Sequence, residues 1–178
     1  MVIPRKDIGK ELSSKLNDID KAYLAGLFDG EGCISPTWGS KKYFLTKEQR
    51  ERTTFFPRLQ FVISNKNSLL LDLMKIIVGY GNIYRGKNKV YGYRISAQKE
   101  VLDVVNALIP YVKLKKEALY LSKEAILYQL QRKLHSRWTS KEKVWFYNEF
   151  MVRLLKLLPS GKKRGRPSKY SLTEILHS

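Results

Sequence analysis

The stretch AYLAGLFDGEG, Ala22 to Gly32, decides how the rest of the chain is read. Asn17 is a good N-cap with Asp20 at the third helical position, and Ile19, Tyr23 and Leu27 recur at every fourth residue. This predicts a short helix that ends near Gly30 and Gly32. One side of it is apolar, with Ile19, Tyr23 and Leu27; the other carries Ala22, Ala25, Gly26 and Asp29, small enough to let a second helix approach closely. Asp29 and Glu31 fall at the helix C-terminus, where the negative end of the macrodipole disfavours acids. A divalent cation held by a carboxylate and a freed backbone carbonyl relieves that conflict. A glycine-capped helix with solvated acids accounts for the same residues, and spacing leaves both open.

Downstream, CISPTW from Cys33 reads as strand, followed by a long basic excursion, GSKKYFLTKEQRERTTF, and then FPRLQFVISN, in which Leu59, Phe61 and Ile63 alternate with Gln60, Val62 and Ser64. SLLLDLMKIIVG reads as a helix capped by Asn67 or Ser68 and stopped by Gly79. GNIYRGKNKVYGYRIS reads as a hairpin around Gly86-Lys87-Asn88, with Tyr91, Tyr93 and Ile95 on one face and Gly92, Arg94 and Ser96 on the other. Gly81 to Asn88 imitates a phosphate-binding P-loop, but Asn88 stands where Ser or Thr is required and a strand follows instead of a helix. After Gln98 the chain is helical: KEVLDVVNALI up to Pro110, Lys113 to about Leu134, and Ser140 to Leu158. The expected organisation is an N-terminal arm over 1–16, a globular domain over 17–158 and a basic tail over 159–178, mobile without ligand.

The chain of 178 residues carries 34 Lys and Arg against 16 Asp and Glu, a net charge of +18, with 43% hydrophobic residues. That is enough apolar content for one core and a charge that favours a polyanionic partner, nucleic acid before an anionic membrane. A single Cys33 with only His135 and His177 excludes a Cys/His zinc site, a dithiol pair and a disulfide scaffold within one chain. No apolar run approaches the roughly 18 residues of a membrane span, and MVIPRKDIGKEL lacks a signal-peptide core. A soluble, unprocessed, intracellular protein is expected, in a prokaryotic nucleoid or an organelle interior, with no membrane partner.

LAGLFDGEG, Leu24 to Gly32, closely resembles the LAGLIDADG motif of homing endonucleases, and the order of elements resembles that family's core over about Ile19 to Leu134. Pro110-Tyr-Val-Lys113-Leu-Lys115-Lys116 looks like the family segment that brings a lysine to the active site. The resemblance implies an α+β fold, an αββαββα core with a concave antiparallel sheet, followed by C-terminal helices and the basic tail. It implies a homodimer whose motif helices meet through Ala22, Ala25, Gly26 and Asp29, since one motif is present. It implies that Glu31 binds Mg²⁺ together with the carbonyl of Gly30, with Mn²⁺ substituting and Ca²⁺ supporting binding without cleavage. Asp29 is then structural. Lys113 is the candidate cation for stabilising phosphoryl charge, and Asn65, at the end of the second strand, the candidate for orienting the attacking water.

The resemblance also implies that strand faces read the major groove of double-stranded DNA. Thr37, Arg58, Gln60, Tyr84, Arg85 and Arg94 are strand-borne candidates, whereas Lys41, Lys42, Arg50, Arg52, Lys87 and Lys89 are expected on loops, against phosphates. Lys163-Arg164-Gly165-Arg166-Pro167 resembles an AT-hook, placing Arg164 and Arg166 in a minor groove; a nonspecific basic tail is the alternative. The implied activity is site-specific cleavage of both strands of a long near-palindromic site by an intron-encoded enzyme. The rivals are an intron RNA maturase, with intron RNA as partner, and a DNA-binding regulator without cleavage.

Overall fold

The computed structural model describes residues 12, 15–45, 50–86, 88–132, 137–157 and 171–177. Helix α1 spans Asp18–Glu31 and is N-capped by Asn17, whose side chain accepts from the Asp20 N–H at 2.8 Å. It ends at Gly32, whose N–H donates to the Phe28 carbonyl. Gly32 is in extended backbone, so the demand for glycine is steric: a Cβ would lie 2.3 Å from the Phe28 ring and 2.7 Å from its Cα. The chain passes from helix straight into strand there.

Strands β1, Gly32–Leu45, and β2, Arg50–Asn65, form one long antiparallel hairpin, from Gly32 opposite Ile63 to Leu45 opposite Arg50. The described parts of the basic excursion expected between two short strands, 39–45 and 50–55, are therefore themselves strand, and Lys41, Lys42, Arg50 and Arg52 lie in the ladder instead of on a loop. This part of the hairpin lacks hydrophobic alternation because it extends past the buried core. Helix α2, Ser68–Val78, is N-capped by Asn67 and closed by Gly79 at φ +84°. Strands β3, Asn82–Arg85, and β4, Tyr91–Ile95, form the second hairpin, with Asn88 and Lys89 both at positive φ in its turn.

The sheet has four antiparallel strands in the order β1-β2-β4-β3. Its ladder is extended by a side chain: Gln98 Nε2 donates to the Leu59 carbonyl at 2.9 Å and its Oε1 accepts from the Leu59 N–H at 3.2 Å, just past the end of β4. Helices α3, Gln98–Leu108, and α4, Lys116–Gln131, follow. Then α5, Ser140–Phe146, runs through a π-helical turn, Tyr147–Met151, into α6, Val152–Leu157.

Alternation gives the sheet two faces. Ile34, Leu59, Phe61, Ile63, Tyr93 and Ile95 are buried with Leu24, Phe28, Leu71, Met74, Val101, Leu119 and Phe146 from the helices. Leu12 and Leu16, both within the expected arm, also enter this core, whereas 1–11, 13 and 14 lie outside the described residues. The last helix, α7, Leu172–His177, buries Ile175, and the fully buried Lys143 donates from Nζ to the Ile175 carbonyl at 3.2 Å. The far end of the expected mobile tail is thus docked, while 158–170, with Arg164 and Arg166, lies outside the described residues. Among the described residues no helix is long and apolar enough to cross a membrane.

Candidate active site and nucleic-acid interface

The site lies where α1 ends, β2 ends and the turn before α4 begins. Glu31, the last residue of α1, is exposed, and Asn65, the last residue of β2, donates from Nδ2 to its Oε2. Asn65 is itself braced, its Oδ1 accepting from the Asn67 N–H at 2.7 Å. The strand end therefore holds the carboxylate of the helix end, two positions that the sequence separates widely.

Asp29 points elsewhere. Its carboxylate accepts the backbone N–H groups of Lys113 at 2.7 Å, Leu114 at 3.2 Å and Lys115 at 3.0 Å. Burial pushes its pKa up, but those N–H groups and the Lys115 charge outweigh it and hold Asp29 below the usual carboxylate range. In return, Lys115 Nζ donates to the Phe28 carbonyl at 3.0 Å and the Gly32 carbonyl at 2.7 Å. Burial lowers the Lys115 pKa, opposed by Cys33 and Asp29. The Cys33 thiol is pushed up by burial, against the pull of Lys115. Lys113, anchored through its backbone, keeps an exposed side chain. At the other end of α1, the Tyr111 hydroxyl donates to Asp18 Oδ1 at 2.6 Å, so the segment Tyr111–Lys115 runs alongside the helix and is tied to both ends.

The structure corrects the expected faces of α1. Ala25 is 1% exposed and packed in the chain's own core with Leu24 and Phe28, so it is not on the free face, and Asp29 is committed to the turn before α4. Ile19, at 80% exposure, and Tyr23, expected inside, are exposed together with Ala22, Gly26 and Gly30. The free face is Ile19, Ala22, Tyr23, Gly26 and Gly30, at helical spacing. A helix apolar on both sides satisfies the core with one and presents the other.

The donor set at the end of α1 consists of the Glu31 carboxylate and backbone carbonyls, all hard oxygens of the kind Mg²⁺ and Ca²⁺ take. Among the described residues no three His, Cys, Asp or Glu side chains gather into a metal site within the chain. The residues fit a hard cation that draws its further ligands from outside the chain.

On the sheet, Cys33, Ser35, Thr37 and Lys41 of β1, Arg58, Gln60, Val62 and Ser64 of β2, Asn82 and Tyr84 of β3, and Gly92 and Arg94 of β4 share the face away from the core. Arg94 lies opposite Val62 and Asn82, and its guanidinium sits 5.0 Å from the centre of the Tyr84 ring. Tyr84 leans over Gly92, where a Cβ would come within 2.3 Å of the ring. Arg58 donates to the Ser96 carbonyl at 3.2 Å and rests 5.9 Å from the Phe56 ring centre, so its head is partly committed. Arg85, expected beside Tyr84, is paired with Tyr91 and projects from the opposite face, because consecutive strand residues alternate. Lys42 likewise projects from the other side and pairs with Glu51 at 2.7 Å. Arg50 and Arg52 stand opposite Leu45 and Tyr43 in the ladder. Lys89 is exposed in the second hairpin turn, and Lys87 lies outside the described residues.

The family model for LAGLIDADG endonucleases matches residues 24–127, from the middle of α1 into α4. The chain belongs to the LAGLIDADG endonuclease family. A relative within that family, DNA endonuclease I-CvuI of Chlorella vulgaris, is 26% identical over 144 residues, covering 80% of this chain and 81% of its own length. The crystal structure of I-CvuI in complex with the I-CreI target superposes with a TM-score of 0.62 at 20% identity, over 84% of this chain and 89% of that one. The archaeal intron-encoded homing endonuclease I-Vdi141I, complexed with DNA, gives 0.62 at 20% identity, over 89% and 93%. Both likenesses establish the LAGLIDADG fold with its open antiparallel sheet.

Lys115 is the residue whose part sequence reading missed. Its signal was present in the alternation Lys113-Leu114-Lys115, but its two acceptors lie more than eighty residues earlier in the chain.

Proposed function

We propose that the chain is an intron-encoded, homodimeric, Mg²⁺-dependent endonuclease that cuts both strands of DNA at a long near-palindromic site. The observation that carries this reading is the contact between Asn65 and Glu31 at the C-terminus of a helix whose outer face is small and apolar. A second copy packed on that face brings a second Glu31 beside the first, supplying the carboxylate pair that a single chain lacks. DNA endonuclease I-CvuI, similar over most of the chain, supports the activity.

Phosphodiester hydrolysis needs an activated water and relief of charge on the phosphoryl oxygens and the leaving oxygen. Bound Mg²⁺ supplies Lewis-acid polarisation and a more acidic water. Glu31 and the Gly30 carbonyl would hold it. Asn65 fixes the Glu31 carboxylate and presents an amide to water, and the exposed ammonium of Lys113 stabilises negative charge on the scissile phosphate. The outer sheet face, with Thr37, Gln60, Tyr84 and Arg94, reads base edges, while Lys41 and Lys89 meet phosphates.

The test is cleavage of a randomised duplex library with Mg²⁺ and with Ca²⁺, followed by sequencing of bound and cut pools. Discrete cut ends with Mg²⁺, absent in Glu31→Gln, are expected. Bound duplexes with no cut ends under either metal would make the chain a DNA-binding regulator, and no enrichment at all would make intron RNA its partner.

A further inference from the structure

An aromatic ring stands on the outer face of the sheet among polar neighbours. Phe56 pairs with Gly39, between the pair Arg58 and Thr37 on one side and the pair Thr54 and Lys41 on the other, and alternation puts all six on the same face. Phe56 and Gly39 fit each other in size: a Cβ on Gly39 would lie 2.6 Å from Cε2 and Cζ of the ring and 2.7 Å from Arg58 Cδ. Glycine inside a strand packs nothing of its own and marks a close approach, here that of the phenyl ring reaching across the ladder onto bare β1 backbone. Arg58 flanks the ring, its guanidinium carbon 5.9 Å from the ring centre and its head donating to the Ser96 carbonyl at 3.2 Å. Phe56 is thus half-buried, seated on one side and open to solvent on the other.

A ring held in this way offers no hydrogen bond to a base edge. The major groove presents N7, O6, O4 and the N6 and N4 amino groups, and its one apolar group is the C5-methyl of thymine. Against thymine the ring buries that methyl. Against unmethylated cytosine it meets no methyl, and against a purine it strips water from N7 without supplying a donor in return. The same logic makes 5-methylcytosine equivalent to thymine for this contact, because the methyl occupies the same ring position.

The register also gives the place of the contact. Phe56 precedes Val62 by six residues, and Val62 lies opposite Arg94. At about 3.3 Å per strand residue the separation is about 20 Å, or about six base pairs at 3.4 Å each. Since β2 runs on from Val62 to Asn65 beside Glu31, Phe56 lies on the far side of Arg94 from the site.

We infer that Phe56 is a specificity-determining residue that senses the C5-methyl of a pyrimidine in each half-site, about six base pairs farther from the cut than the position read by Arg94. The inference rests on the reading of the outer sheet face as the DNA surface.

The experiment starts from duplexes that the full chain selects from a randomised library in Ca²⁺. Competition binding then compares four versions of one selected duplex, with thymine, deoxyuridine, cytosine or 5-methylcytosine at the assigned position of one half-site. The wild type should bind the thymine duplex about fourfold more tightly than the deoxyuridine duplex, the equivalent of one buried methylene-sized group. The 5-methylcytosine duplex should exceed the cytosine duplex by a similar factor. Phe56→Ala should bring both ratios to one and leave the base preference at the Arg94 position as it is. Phe56→Leu retains an apolar contact and should keep part of each ratio, and it carries the test if the Ala variant does not fold. Gly39→Ala leaves the ring in the chain but fills its seat, so it should lower the ratios as well. Equal binding of thymine and deoxyuridine duplexes by the wild type overturns the inference, and so does a methyl preference that Phe56→Ala retains in full. A library from which no duplex is enriched removes the DNA reading of the face itself, whatever Phe56 touches.

Discussion

The side-chain amide of Asn65 donates to Oε2 of Glu31, joining the last residue of β2 to the last residue of α1. A carboxylate at the tip of a helix has several rotamers open to it, and this bond selects one. Replacing Asn65 by Ala leaves the backbone of the strand end in place but frees the carboxylate and removes the amide from the water it would orient. Single-turnover cleavage is expected to fall about 10- to 100-fold, the usual cost of removing a group that orients a metal ligand. DNA affinity should stay at the wild-type value, because Asn65, opposite Tyr91 at the end of β2, alternates away from the outer face that carries Gln60 and Ser64. Equal losses in affinity and rate would show that Asn65 serves binding.

Asp29 is the acid whose removal should be felt as stability. It accepts backbone N–H groups from Lys113, Leu114 and Lys115, so Asp29→Asn weakens a charge-assisted cap and is expected to cost about 1 to 2 kcal/mol at neutral pH. Folding lowers the Asp29 pKa below 3.8, its ordinary value, so the folded chain binds fewer protons than the unfolded one between the two values. The stabilisation is fully present above the ordinary value and lost as pH falls through the folded one. Thermal unfolding followed from about pH 6 to about pH 2 should show the wild type losing its advantage over Asp29→Asn across that acidic window. A constant difference over the whole range would contradict the cap.

The notch at Gly92 separates recognition from stability. A Cβ there would lie 2.3 Å from the Tyr84 ring, at the far end of a side chain that is 38% exposed and able to swing away. Gly92→Ala should therefore change unfolding free energy by only about 0.5 kcal/mol. It should displace the ring against which the Arg94 guanidinium rests. Since an arginine presented in this way pairs with the O6 and N7 of guanine, the altered variant is expected to lose base preference at one position in each half-site. Arg94→Ala should lose preference at the same position. Library selection compares the affected columns directly, and changes in different columns would break the link between Tyr84 and Arg94.

How much of this was legible in the sequence depended on how local each signal is. The alternation of Leu59, Phe61 and Ile63 revealed a half-buried strand because a period of two is enforced wherever one face is covered. The outer part of the long hairpin, from Lys41 to Leu45 and from Arg50 to Thr54, leaves the buried core, so charges occupy both faces and alternation vanishes although the ladder continues. The faces of α1 were misread because apolar residues lie on both. Leu24, Ala25 and Phe28 enter the core, and the equally apolar Ile19 and Tyr23 do not. Glu31, Asn65 and Lys113 are candidates through the motif and the strand end, and the fold brings Asn65 onto Glu31. The clasp between Asp29 and Lys115 joins segments that only folding brings together, and no spacing rule reaches across them. Leu12 and Leu16, and Ile175 beside Leu172 and Leu176, belong to apolar patterns only about one helical turn long, too short to establish a period, yet Leu12, Leu16 and Ile175 are buried in the fold.

The docking of α7 makes the end of the chain part of the folded unit. Ile175 is 3% exposed, and its carbonyl accepts from the ammonium of Lys143, which is itself fully buried. Deleting residues 171–178 exposes the apolar seat of Ile175 and takes one acceptor from a buried cation, so it should cost about 2 to 4 kcal/mol. Within the deleted chain, Lys143→Met should recover part of that loss, because an apolar side chain of similar length has no charge to solvate. Chemical denaturation of the full chain, the deletion, Lys143→Met and the double variant forms a cycle whose coupling should be clearly non-zero. A deletion with an unchanged denaturation midpoint would make α7 dispensable for the fold. A deletion that destabilises equally with Lys or Met at position 143 would assign the loss to the burial of Ile175 and leave the Lys143 contact energetically silent.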